Sequence, residues 1–348
     1  MPGFDSIIGQ ARPVRTLARL LARGTLPHAL LFTGIEGVGK KTAAVAVVMA
    51  CNCLSPSRDA DDGRSGPEPI ACGECAACRK IAAGTHPDIR RLAPEDGMIK
   101  IDRIRELCGF LGMKPYEART RAVIIAEAQA MNPAAANALL KMLEEPPPQT
   151  VLILTAGQAA DLLPTVVSRC RQIHFAPLAR QDLAAILVRD RGLDRKQAAV
   201  IAALAGGSVT RAMAIQRGHG LHRRAWLIAQ LAGLPRQTPL GLLALAEKLA
   251  RERSEVEGDL ELVATWLRDV AVARHCPERM IHADARVAIQ AAAAEMPEQA
   301  VGEAVCALQE AVRRLRANAN PRLTLEALFT GLAGSLRPSP PEAAVERM

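Results

Sequence analysis

Apolar residues recur at helical spacing over Ala11 to Arg23, "ARPVRTLARLLAR", and then close up into a short continuous run, "HALLFTG", at His28 to Gly34. The first pattern predicts an amphipathic helix, the second a strand buried on both faces and feeding a loop. "KKTAAVAVVMAC" predicts a helix leaving that loop. Two more runs, "RAVIIAEA" at Arg121 to Ala128 and "TVLILTA" at Thr150 to Ala156, predict buried strands, and "RQIHFAPL" predicts a fourth. Between them "NPAAANALLKMLEEPPP", Asn132 to Pro148, predicts a helix with Pro133 at its start and a proline stop. Strands alternating with helices imply a parallel sheet covered on both faces. After Pro177 the strand signal ends. Arg180 to Gln216 predicts short helices broken at "GGS", and Leu221 to Leu336 is helical throughout. The polar stretch Leu54 to Ile70 predicts a loop. The expected class is α/β plus all-α: an α/β domain over residues 1–176, a small helical domain over 177–220, a larger one over 221–336, and a flexible tail over 337–348.

Composition narrows the picture. Of 348 residues 49% are apolar and only 2% aromatic, so cores of small residues and many helices are expected. Scarce rings also disfavour single-strand binding by base stacking. The net charge of +8 suits either phosphate contacts or a solvated basic surface. "MPGFDSIIGQ" has neither a basic n-region nor an apolar h-region, so no signal peptide is expected. The longest apolar run, Ala43 to Leu54, is too short to cross a bilayer, and a cytoplasmic location is expected. Nine cysteines in such a chain point to metal or buried thiols rather than disulfides.

"TGIEGVGKKT", Thr33 to Thr42, has the context of a phosphate loop: strand, glycine-rich turn, helix. Gly34, Gly37 and Gly39 let backbone N–H groups face a phosphate, and Lys40 is placed to reach the β- and γ-phosphates. A hydroxyl that holds magnesium belongs after Lys40, but Lys41 stands there, and an ammonium only donates. Thr42 lies about 100° further round the helix. The acid that supplies a second metal contact is expected at Ala126, with Glu127 following. Two losses at one ion site predict slow or absent ATP hydrolysis. Lys41 either points to solvent or partly replaces the missing cation.

"CGECAAC" places Cys72, Cys75 and Cys78 at two-residue gaps. With an upstream thiolate this spacing fits a closed, structural tetrahedral zinc in a module over about residues 51–80. Cys53 is the expected fourth ligand and Cys51 the second candidate. An iron–sulfur run needs Cys-Pro three residues on, and "RKIA" follows instead. Cys108, Cys170, Cys276 and Cys306 are isolated and expected in cores. His86 is expected to be structural.

The order of "IIGQ", phosphate loop, four-cysteine insertion, "GTHPD", "NALLKMLEEPP" and "LLPTVVSRC" resembles the bacterial clamp-loader subunits of the DNA polymerase III holoenzyme, within the AAA+ superfamily. The match covers roughly the first 215 residues, with a weaker one at "RRLRANANPRLTLEALF". The damaged metal site is similar to the subunit kind that does not hydrolyse ATP. The resemblance implies an AAA+ domain with a zinc-knuckle insertion, a helical lid, and a helical collar for oligomerisation. It implies that Arg169, in "SRC", is an arginine finger acting in trans, that Thr155 is at the first sensor position and that Arg211 is the sensor arginine of the lid. Alternatives are a strand-end salt bridge for Arg169, an ordinary strand-end threonine and a surface helix arginine. Glu144 and Glu145 end a helix whose dipole disfavours acids, which suits either a partner contact or a frayed end. Implied partners are the gamma/tau and delta subunits, the sliding clamp indirectly, and primed DNA within the complex; ATP or ADP is an open cofactor. No polymerase site is expected in the chain. Two rival readings are an ATP-hydrolysing motor, opposed by Lys41 and Ala126, and a zinc-dependent DNA-binding module, opposed by the closed zinc set.

Overall fold

The apolar runs form strands because neither of their faces meets water. In the computed structural model, which describes residues 3–58, 69–217, 220–252, 255–317 and 319–336, the chain forms two compact units, Met1–Ala212 and Met213–Met348. The first is built on five strands: β1 (Ala29–Thr33), β2 (Ile89–Leu92), β3 (Arg121–Ile125), β4 (Thr150–Ala156) and β5 (Arg171–His174). All pair in parallel, in the order β2-β3-β4-β1-β5. The register sets Ala29 opposite Leu152 and Leu30 opposite Arg171.

Alternation along β1 divides the core. Leu30 and Phe32 pack with Leu17 of α1 (Ala11–Ala22) and with Val47 and Met49 of α2 (Lys40–Asn52). Ala29 and Leu31 face the other way, toward Ile104 of α4 (Ile101–Gly112) and Leu139 of α5 (Pro133–Glu144). Each such leucine contributes about 1.5–3 kcal/mol by leaving water. Asn132 caps α5 by accepting from the Ala135 N–H at 2.8 Å, and Pro133 occupies its first turn.

The edge strand β2 and helix α4 are elements the sequence pattern does not single out. In β2 only Ile89 and Leu92 are buried, while Arg90 and Arg91 stay exposed, as suits a sheet edge. Asp88, just before it, is 1% exposed and accepts from the N–H groups of Tyr116, Glu117 and Ala118 at 2.8–2.9 Å. It also takes the buried Arg121 guanidinium at 2.8 Å. Burial alone would push the Asp88 carboxyl up, but these donors outweigh it and hold the group well below the usual carboxylate range. His86 is buried beside it and receives the Asp88 N–H, which bears out its structural role.

Helices α6 (Pro164–Val167), α7 (Arg180–Arg191) and α8 (Arg195–Leu204) complete the first unit together with the start of α9 (Val209–Arg217). The second unit contains α10 (Gly220–Ala232), α11 (Pro239–Arg251), α12 (Val256–Ala273), α13 (Arg286–Glu295), α14 (Glu298–Arg316) and α15 (Pro321–Ser335), packed around Trp266 and Phe329. A buried polar cluster crosses this core. Arg224 holds Asp284 at 2.6 Å and His282 at 3.0 Å, and His282 reaches Thr265 at 3.0 Å. Asp269 accepts from the N–H groups of Ile281 and His282. Burial lowers the His282 imidazole to about 4, with Arg224 adding to the effect. The tail expected over 337–348 and most of the loop expected at Leu54 to Ile70 lie outside the described residues. No helix among the described residues is long and apolar enough to cross a membrane.

Candidate functional site

The loop after β1 is shaped by glycines in conformations that other residues resist. Gly34, Gly37 and Gly39 have φ of 139°, 78° and 98°. A Cβ on Gly34 would lie 2.3 Å from the Phe175 carbonyl oxygen, and one on Gly37 would lie 2.5 Å from the Thr210 nitrogen. The Val209 N–H donates to the Gly37 carbonyl at 3.1 Å, so the start of α9 seats directly on the loop. Gln10, from "IIGQ", is buried and donates to the carbonyls of Val38 and Ala176. That side chain ties the loop to the exit of β5.

The loop borders a cleft of about 450 Å³. Gly37, Gly39, Lys40, Lys41, Thr42 and Thr155 line it, as the sequence predicts. Gly34 and Arg211 do not line it. Gly34 sits behind the loop, where its N–H donates to Gly157 and its carbonyl accepts from Lys40. Arg211 is half-buried in the first turns of α9, with its N–H capped by Ser208. The α9 turn that does reach the cleft carries Val209 and Thr210.

Lys40 donates to the carbonyls of Gly34 and Ile35, the latter at 2.7 Å. Burial lowers its pKa, and Glu36 opposes the shift. Lys41 is exposed at the cleft, and its ammonium lies 2.9 Å from a Glu127 carboxylate oxygen. Glu127 is held in a left-handed conformation with its N–H on the Thr155 hydroxyl at 3.2 Å. Thr155 is thus engaged in placing Glu127. Neither the Lys41 nor the Ala126 side chain offers magnesium an oxygen. Sequence reasoning missed Ile7, Ile8, Ile186, Arg189 and Asp190, which also line the cleft. Arg189 and Asp190 form a two-pronged pair at 2.6 and 3.0 Å, with no spacing signal to announce it.

The cysteines form a second centre. The sulfurs of Cys53, Cys72, Cys75 and Cys78 all lie within 4.8 Å of one another. Four thiolates around one zinc stand ~3.8 Å apart, given a metal–sulfur bond of about 2.3 Å. Cys53 ends α2, and Cys75 caps helix α3 (Ala76–Ala83), so the cluster ties the two helices together. The N–H groups of Cys72, Cys75 and Cys78 point at the sulfurs of Cys53, Cys72 and Cys75, at 3.3–3.5 Å. Such donors favour the thiolate form a metal needs. Cys51 lies outside the cluster, and burial pushes its thiol up to about 12. Cys53 is therefore the fourth member. Cys170 is buried, as expected, and Cys108 is half-buried against the core; Cys276 is half-buried, and Cys306 is exposed on the solvent face of α14, which corrects its expected core placement.

Arg169 follows α6 and does not border its own chain's cleft. Its guanidinium meets Glu144 at 2.6 Å and the Thr165 carbonyl at 3.0 Å. The Glu144 contact accounts for an acid at the C-terminal end of α5, where the helix dipole alone disfavours it.

Comparison with known proteins adds the family. The family described as DNA polymerase III, delta subunit, matches residues 9–179, and its C-terminal counterpart matches residues 219–333. DNA polymerase III subunit delta′ of Escherichia coli is 32% identical over 262 residues, 74% of this chain and 73% of that protein. The chain belongs to the delta-prime family of DNA polymerase III. The delta-prime subunit of Bacillus subtilis is 28% identical over 92% of this chain and 94% of its own length. That of Pseudomonas aeruginosa is 41% identical over 44% of this chain and 45% of its own length. Delta-prime membership agrees with the five-stranded parallel sheet.

Proposed function

We propose that this delta-prime chain serves a bacterial clamp loader as a stiff wedge, which helps the complex place a sliding clamp on primed DNA. It hydrolyses little or no ATP itself and lends Arg169 to a neighbouring subunit's ATP site. The observation that supports this division of labour is the Lys41–Glu127 ion pair at 2.9 Å, formed by the residue that stands where a magnesium-holding hydroxyl is expected and the acid that follows Ala126. Without a divalent ion the charge on a transferring phosphoryl group is poorly neutralised.

Arg169 suits the opposite role. It lies outside its own cleft, its side chain is 36% exposed, and a guanidinium stays charged and matches phosphate oxygens in pairs. The pair with Glu144 is exposed and is worth about 0–1 kcal/mol at most. A neighbour's triphosphate, with several negative charges, displaces it readily. Gamma/tau and delta subunits are the partners this reading requires, in the cytoplasm. Residues 1–176 act as the AAA+ domain, 177–220 as its lid and 221–336 as the collar. The cysteine cluster takes structural zinc, because four sulfurs leave no open position for catalysis. The chain supplies no polymerase site. Steady-state ATP hydrolysis by the purified chain, alone and with primed DNA, tests the reading: background turnover is expected, and robust turnover contradicts it.

A further inference from the structure

Helix α1 breaks a pattern that other surface helices keep. On α4 and α14 exposed arginines meet carboxylates: Arg103 lies near Glu95 and Glu106, and Arg313 and Arg314 share Glu310. On α1, Arg12, Arg15, Arg19 and the cap residue Arg23 are all exposed, and none has a carboxylate partner among the described residues. Residues 6–35 contain no Asp or Glu, and neither does α2, which packs in the same core as α1. At about 100° per residue the four arginines fall within an arc of about 80°. The opposite side of the helix, with Pro13, Leu17 and Ala18, is buried. Such a row destabilises its own helix. Arg15 and Arg19, and Arg19 and Arg23, are like charges four residues apart, which repel. Arg12 stands in the first turn, at the positive end of the helix dipole. We propose that α1 is a docking surface for the phosphate backbone of duplex DNA, held without regard to sequence. The choice of DNA over another polyanion rests on the delta-prime reading.

The dimensions of the row suit a nucleic-acid strand. From Arg12 to Arg23 the helix rises about 16 Å. One strand of a duplex presents a phosphate about every 3.4 Å of axis, so about five phosphates lie along that length. A guanidinium meets phosphate oxygens in pairs, and all four cations are arginine. The exposed residues among them, Thr16 and Ala22, are small, so a backbone can come close. No aromatic ring lies on α1, which disfavours a single strand held by base stacking. A basic amphipathic helix can also lie on a lipid surface, but only with an apolar face free to insert. The apolar face of α1 is packed in the core through Val14, Leu17 and Leu21. An acidic protein segment has the right charge sign, but at a lower linear density than a duplex, which carries one charge per about 1.7 Å of axis.

The test is the fluorescence anisotropy of a labelled duplex with the full chain, titrated at several salt concentrations. Four phosphate contacts predict a slope of about −3.6 for log affinity against log salt, or about 150-fold weaker binding at 200 than at 50 mM. Arg15→Gln/Arg19→Gln is expected to flatten that slope by about 1.8 and to weaken binding about a hundredfold at 50 mM salt. Glutamine is a good helix former, and circular dichroism checks the fold. Arg15→Lys/Arg19→Lys keeps the charge and is expected to keep the slope. Arg236→Gln/Arg251→Gln removes the same charge from exposed, paired arginines of the helical unit and is expected to leave the slope unchanged. Polyglutamate at equal charge is expected to compete at least about tenfold less well than unlabelled duplex. No saturable binding at 50 mM salt, a slope that Arg15→Gln/Arg19→Gln leaves untouched, or an equal loss in the Arg236/Arg251 control each overturns the proposal. Equal competition by polyglutamate overturns the choice of DNA and favours an acidic protein partner. Assembly of the parent chain into a reconstituted clamp loader tests the delta-prime reading separately: a chain that assembles but binds no duplex through α1 overturns this proposal alone.

Discussion

Asp88→Ala should loosen the sheet unit and leave the helical unit intact. The substitution strips the Arg121 guanidinium of its only carboxylate partner among the described residues, with both side chains almost fully buried. Removing one member of a buried pair costs about 3–5 kcal/mol, because the other charge stays behind uncompensated. Three backbone N–H groups, of Tyr116, Glu117 and Ala118, lose their acceptor as well. They are only partly buried, and water can replace the carboxylate there, so the estimate stays at about 3–5 kcal/mol rather than rising further. Against a typical total of about 5–15 kcal/mol, this is enough to populate an unfolded sheet unit in mild denaturant. The chain has a convenient reporter: its two tryptophans, Trp226 and Trp266, both lie in the helical unit. Urea unfolding followed by far-ultraviolet circular dichroism should show an early transition in the variant, while tryptophan fluorescence unfolds at the parent's midpoint. A shift below about 1 kcal/mol, the scale of an exposed pair, or fluorescence and dichroism moving together, would refute the reasoning.

Three further outcomes follow from the same structure. His282 is buried neutral, with a pKa lowered from 6.5 to about 4, so the helical unit should be fully stable above pH about 6.5 and lose stability as pH falls toward 4. At about 1.36 kcal/mol per pH unit the loss approaches roughly 3 kcal/mol, and His282→Gln should flatten that slope in tryptophan-detected melts. The purified chain should carry about one zinc per molecule, lost in Cys72→Ser and retained in Cys51→Ser by elemental analysis; a Cys51 variant without metal contradicts the ligand set. Glu144→Gln should change stability by less than about 1 kcal/mol and leave ATP turnover of the reconstituted complex at or above the parent's level. A collapse of turnover to the level of an Arg169 variant would show that Glu144 does more than park the arginine.

What the sequence reveals depends on how local the signal is. The phosphate loop and "CGECAAC" are legible because their groups act within a few residues, so spacing alone carries the chemistry. Strands β1, β3 and β4 are legible because burial on both faces demands unbroken apolar runs. Strand β2 is not, since half of it is arginine at a sheet edge. The choice of Cys53 over Cys51 needs the fold, which brings one thiol into the cluster and leaves the other outside it. Lys41 and Glu127 are 86 residues apart, and only the sheet brings them together. Arg169 and Glu144 are likewise brought together only by the fold. Arg211 shows the converse: a motif position can be matched while its side chain does not border the cleft.

The account turns on a chain that has given up its own metal site and contributes a cation to its neighbour. ATP turnover by a clamp loader reconstituted with Arg169→Ala, with assembly followed by size-exclusion chromatography, measures this most directly. The complex should assemble normally and lose DNA-stimulated ATP turnover at the adjoining site. Unchanged turnover in a fully assembled complex would contradict the account.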